Sequence, residues 1–201
     1  MTMRTTYITI FIAAVVSLTA QAQEFSADTV THDSSGRILR GKLYRSATMI
    51  RAGADAASSN GDPTFTIVDI PKQVSNTVIP NRKGIMVAHG MAALNKVGIA
   101  LPVNENPCTP TSGGSPSTRT SCRNLGEETV NSRHTVKWEV SETMRGQSGT
   151  QYVWVDAKLH CIVKMQIGQS IMELQNIREG PQPASLFALP TGYQVMDVGG
   201  H

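Results

Sequence analysis

Along YVWVDAKLHCIVKMQI, residues Tyr152 to Ile167, apolar Leu159, Cys161, Val163, Met165 and Ile167 alternate with polar His160, Lys164 and Gln166. A period of two predicts a strand with one apolar side. Asp156, Ala157 and Lys158 reverse the chain just before it, and the length of that reversal decides what the apolar side meets. A two-residue loop sets Trp154 opposite Cys161 and Tyr152 opposite Val163, whereas a three-residue loop brings Val153 and Val155 to that side instead.

Short runs of the same period recur along the chain, divided by turn signals every eight to twelve residues or so, the signature of antiparallel sheet. EFSADTVTH leads through Asp33, Ser34, Ser35 and Gly36 into RILRGKLYRS as a hairpin, and TMIRAG follows as a third strand. TFTIVDI, QVSNTVIP, ETVNSRHTVKWEVSETM with a tight turn at Asn131, Ser132 and Arg133, and SIMELQNIRE extend the series. In GIMVAHGMAALNKVGIAL, residues 84–101, the glycines at 84, 90 and 98 interrupt a helical face, and the pattern predicts a strand followed by a short helix. Pro181 and Pro183 leave room for one more short helix around Ala184 to Phe187. About nine strands with this little helix form an antiparallel sheet too large to stay flat, so it must curl into a barrel or half-barrel, with a two-sheet sandwich as the alternative.

Before the first strand, Arg4, the apolar run from Ile8 to Leu18 and the triplet Ala20, Gln21, Ala22 match a secretory signal cut after Ala22. The apolar run is shorter than a membrane-spanning helix needs. The expected product is a single domain over residues 23–201, exported to the periplasm or beyond, with no membrane span after cleavage. The whole chain carries a net charge of +3, one unit of it in Arg4, and its Lys and Arg are dispersed. Such a charge distribution argues against a nucleic-acid partner.

Export places the three cysteines where disulfides persist. Cys108 and Cys122 bracket CTPTSGGSPSTRTSC, a polar loop with little else to order it, and are expected to pair; Cys161 is then left as a buried, unreactive thiol on the apolar side of its strand.

The chain holds no Gly-rich phosphate loop, no His-Glu-x-x-His and no Cys-x-x-Cys, and GQSG at residues 146–149 lacks nucleophile-elbow spacing. His32, His89, His134 and His160 are scattered one per segment. No catalytic residues, no metal site and no cofactor are therefore assigned. Asp69, following an apolar run, is expected to pair with Arg40, Arg45 or Arg51 across the sheet. The many methionines suit core filling, and equally a pocket for flexible apolar chains.

The succession FSADTV, FTIVDIPKQVSNTVIP, CRNLGEETVNSRHTVKWEV, YVWVDAKLHCIVKMQ and LFALPTGYQ resembles exported bacterial proteins that look like the outer-membrane lipoprotein carrier superfamily, the LolA/LolB-like group. VWVDAKL and LPTGYQ are its most specific pieces. The resemblance implies an incomplete antiparallel β-barrel whose concave face is partly lined by helix and shelters acyl chains or another hydrophobic partner. No catalytic residues follow from it.

The fold class expected is thus mainly β, a curved antiparallel sheet with one or two short helices against its concave face. The function expected is a soluble periplasmic binding protein for a lipid or a lipoprotein acyl chain. Trp154, Leu159, Val163 and Met165 would line the site, with Met86, Met91 and Leu94 on a covering segment, supplying dispersion contact and excluding water. The alternative is an envelope protein-interaction module with a self-filled core, meeting its partner through a sheet edge or the loop from Cys108 to Cys122.

Overall fold

A computed structural model describes residues 23–54, 63–94, 97–108, 118–144 and 147–199. The expected leader at 1–22 and the interior of the cysteine loop at 109–117 lie outside the described residues.

Twelve strands form one open sheet: β1 (Phe25–His32), β2 (Ile38–Arg45), β3 (Met49–Ala54), β4 (Phe65–Asp69), β5 (Val74–Ile79), β6 (Gly84–His89), β7 (Thr118–Val130), β8 (Arg133–Met144), β9 (Gln147–Asp156), β10 (Cys161–Ile167), β11 (Ser170–Glu179) and β12 (Gln194–Asp197). Their order is β12-β6-β5-β4-β3-β2-β1-β11-β10-β9-β8-β7. The first strand thus lies mid-sheet, hydrogen-bonded to β2 on one side and to β11 on the other. The mainly β, curved and unclosed sheet agrees with the expected class. Among the described residues helix is confined to the single turn α1 (Met91–Leu94) and two 3-10 turns, Pro80–Arg82 and Ala184–Phe187.

Two details differ from the sequence expectation. The strands among the described residues number twelve rather than about nine, and the sheet is mixed, because β12 runs parallel to β6. All four residues of β12 are exposed, so this strand carries no alternation of buried and solvated positions from which it could be read.

The turns follow from local chemistry. In the β1–β2 hairpin, Asp33 Oδ1 accepts the backbone N–H groups of Ser35 and Arg37, both at 2.9 Å, and Gly36 supplies the positive φ that closes the turn. Between β7 and β8 the two residues Asn131 and Ser132 are both left-handed, a two-residue turn whose twist matches the strands it joins.

Register fixes which side chains share a face. One cross-strand row runs Phe25, Arg45, Ile50, Val68, Ser75, Ala88 from β1 to β6, and every member is buried. The adjacent row runs Ala27, Leu43, Ala52, Thr66, Thr77, Met86. Val97, Ile99, Ala100, Leu101 and Val103 belong to the same apolar cluster as the residues of this inner face. Their segment is fastened to the start of β10: the Ala100 N–H donates to the Ile162 carbonyl and the Val103 N–H to the His160 carbonyl. Cys108 and Cys122 are joined, tying the end of the segment to edge strand β7. On the opposite face Arg51 donates to the Leu186 carbonyl at 2.8 Å and stacks on Phe65, so the chain from β11 to β12 is held across the back of the sheet.

Candidate functional site

The inner face is not completely filled. A cavity of about 280 Å³ lies above Leu43, Ala52 and Thr66 of the second row, between Met172 of β11 and Val97 and Ile99 of the covering segment. Alternation in β1 to β4 puts the threonines and aliphatic residues of that row on one side, while the covering segment adds two apolar side chains. The volume lies near the lower limit of small-molecule sites, and the wall mixes apolar surface with threonine hydroxyls.

The residues expected to line a site are dispersed. Met165 is opposite Met172 on one side and Val153 on the other, so it stands next to the cavity wall on the inner face. Met86 is part of β6 rather than of the cover, in the inner row with Thr77 and opposite Met196 of β12. Leu94 ends α1 and packs against the core cluster; Met91 lies in the same turn, its side chain outside the described ones. Leu159 and Val163 are fully buried among core residues, Leu159 in the β9–β10 turn and Val163 as the unpaired residue of a bulge.

Trp154 points the other way. It stands opposite Lys164 and Lys137 and therefore on the outer face. Each ammonium is 4.8 Å from the ring centroid, and Nε1 donates to Glu128 Oε2 at 2.6 Å. Neither loop length foreseen for the reversal is present. The Asp156 carboxylate accepts the N–H groups of Lys158 and Leu159, both at 2.9 Å, building a four-residue turn that His160 completes in the left-handed region. The bulge at Val163 then shifts the register, so that Val153 rather than Trp154 shares the face of Met165.

A cluster of charges lies at one end of the sheet, around the β9–β10 turn. Asp156 is paired with Arg133, which also donates to Glu179 at 2.8 Å; Lys158 completes the group at 2.7 Å from Glu179. The two cations hold the Glu179 carboxyl at about 2, well below the usual range, with Lys158 the larger influence. Asp69 pairs with Lys72 at 2.9 Å, not with an arginine across the sheet, because the turn after β4 brings that ammonium back over the strand end.

Arg45 is the feature that periodicity did not single out. It is fully buried, its Nη1 donates to the Leu159 carbonyl at 3.2 Å, and its Nε and Nη2 find no oxygen acceptor, the neighbouring Cys161 thiol being the other polar group in reach of the guanidinium. A charged residue falling in phase with Leu39, Gly41 and Leu43 was the sequence signal. Beside it, the free Cys161 is buried, and loss of water pushes its thiol up to about 12. Among the described residues no group of three or more His, Cys, Asp and Glu is placed to hold a metal ion. Among them too, no helix is long and apolar enough to cross a membrane.

No protein-family model matches this chain, and no curated protein matches it in sequence. Similarity to solved structures is confined to the fold. PNGF-II in its C2 crystal form superposes with a TM-score of 0.55 at 10% identity over 89% of this chain, and the P21 form with 0.52 at 9% over the same share. This chain spans 31% of the PNGF-II chain in the first of them. A DUF1329 family protein from Desulfovibrio piger aligns over 84% of this chain and 90% of its own at 10% identity, with a TM-score of 0.24.

Proposed function

We propose that the protein is a periplasmic binding protein that shelters an apolar group, such as part of a lipid or a lipoprotein acyl chain, on the inner face of its open sheet. The cavity between Leu43, Ala52, Met172, Val97 and Ile99 carries this reading. The space is an open groove with apolar surface from both the sheet and the separate covering segment, and a groove of this kind is room for a guest. The resemblance to lipoprotein carriers and the unclosed sheet support the same assignment. The Cys108–Cys122 bridge fits an oxidising compartment.

The test is to purify the exported protein, extract it with organic solvent and identify any apolar compound by mass spectrometry. A co-purifying lipid is expected, and Met172→Glu, which places a carboxylate at the cavity wall, should remove it while leaving the circular dichroism spectrum unchanged. A lipid-free extract that stays empty after incubation with lipid vesicles would sink the proposal.

A second reading, an envelope protein-interaction module, is favoured by one observation. Val195, Met196 and Val198 lie on or beside the free edge strand β12 with more than half of their surface in solvent. Binding of a partner that is abolished by Met196→Lys and unaffected by Met172→Glu would support it.

A further inference from the structure

We propose that Arg45 anchors a carboxylate, so that the guest of the inner-face cavity is a long-chain carboxylic acid whose acidic end lies against Arg45 and whose chain runs over Leu43 and Ala52. The inference rests on the cavity reading above and adds the chemistry of the head group.

Charge is out of balance around Arg45. Arg45 occupies the row Phe25, Arg45, Ile50, Val68, Ser75, Ala88, all of it out of solvent. A buried guanidinium is costly unless an anion or hydrogen-bond acceptors replace the water it has lost. Asp156 is the one buried acid among the described residues, and both of its oxygens are engaged: Oδ2 by Arg133, Oδ1 by the Lys158 and Leu159 N–H groups. The Cys161 thiol is within hydrogen-bonding reach of the guanidinium, but it is neutral, a weak acceptor, and offers no countercharge. The Phe25 ring is 5.8 Å from Cζ, and the Leu159 carbonyl takes only Nη1.

The two nitrogens left over specify the partner. Nε–H and the N–H of Nη2 point from the same edge of the planar guanidinium, two parallel donors spaced to meet the two oxygens of a carboxylate side-on. A backbone carbonyl or a lone water satisfies one of them, whereas a carboxylate satisfies both and supplies the missing charge.

Position links this fork to the cavity. Leu43 precedes Arg45 by two residues on the same face, and Ala52 follows Ile50, the cross-strand partner of Arg45, by two. The cavity floor is therefore one register step from the guanidinium, about 7 Å along the strands. Arg45 is not itself part of the cavity wall; residues 97–103, which cover the inner face, are held to β10 by two backbone hydrogen bonds and a bridge from Pro102 to Cys161, and this one segment must shift for a carboxylate to reach the guanidinium.

Displacement of the neutral dye Nile red from the purified full-length protein tests the proposal. Dodecanoate should displace it at a concentration at least tenfold lower than methyl dodecanoate, and Arg45→Met should abolish that preference while leaving the ester's potency unchanged. Equal potency of acid and ester in the wild type, or a preference that survives in Arg45→Met, overturns the assignment of Arg45 but leaves the cavity reading standing. Failure of the dye and both compounds to bind overturns the two together. Should Arg45→Met fail to fold, carbon-13 NMR of carboxyl-labelled dodecanoate bound to the wild type decides the matter. A carboxyl paired with Arg45 titrates well below the free acid, and titration at or above the free acid overturns the proposal.

Discussion

Gly41 of β2 approaches Gly53 of β3 so closely that a Cβ on Gly41 would overlap the Gly53 carbonyl oxygen and press on Thr29 Oγ1, 2.8 Å away. Gly41 lies on the inner face opposite Thr29 and Ala54, two residues that line the cavity. Its bare backbone lets β2 and β3 close up there. Gly41→Ala is expected to cost about 1–3 kcal/mol through forced separation of the strands. Urea denaturation checks the stability, and an unchanged midpoint would show that the strands yield freely.

Glu179 governs part of the response to acid. Lys158 and Arg133 hold its folded-state carboxyl at about 2 against an ordinary 4.5, so the unfolded chain binds the proton first as the pH falls. The stabilisation is fully present above about 4.5 and is lost progressively towards about 2. Glu179→Gln removes this contribution. The urea midpoint of the variant should fall less steeply than that of wild type over this interval, with the two curves furthest apart near neutral pH. Parallel curves would mean that the pairs do not persist in solution.

Trp154 separates the two faces of the sheet experimentally. Its indole sits between Lys137 and Lys164 on the outer face, so it contributes to stability but not to the cavity. Trp154→Phe keeps an aromatic ring between the ammonium groups and loses the hydrogen bond to Glu128. A loss of about 1.5–3 kcal/mol is expected in chemical denaturation, that being the range for bonds to charged groups. Lipid recovered per mole of protein should stay at the wild-type level; a large drop would place the indole in the site.

The Cys108–Cys122 bridge fastens the end of the covering segment to the edge of the sheet. Reduction, or Cys122→Ser, should lower stability by up to about 3 kcal/mol, the chain-entropy value for a loop of this size. Nile red should also leave the protein faster, because the cover is then attached at fewer points. Stopped-flow dilution measures this, and identical release rates would show that the bridge does not restrain the cover.

Much of the fold was legible because local chemistry and pattern agree. The Asp33–Gly36 turn joins two strands of clear alternation, and Asn131–Ser132 does the same for β7 and β8. The pairing of Cys108 with Cys122 followed from a loop that nothing else could order. The candidate site was less legible, because it depends on parity. Four turn residues after Asp156 and one extra residue at Val163 decide whether Trp154 or Val153 faces inward, and alternation within a single strand carries neither number. Met172 was visible as apolar, but its place over Leu43 and Ala52 arises from pairing β11 with β1, a contact between opposite ends of the chain. Arg45 was recognisable only as a cation in an apolar phase, and its missing partner became apparent with the third dimension.

The neighbourhood of β1 and β11 has a further consequence, for how the chain is assembled. β1 to β6 form one consecutive meander and β7 to β11 another, and within the sheet the single ladder joining them is that of the first strand with the eleventh. Each meander can zip up from nearby pairings, but the union of the two must wait until Ser170–Glu179 has been synthesised, and closing so long an excursion makes the last step the slow one. Until then Phe25–His32 presents a bare ladder edge that would pair with any stray strand.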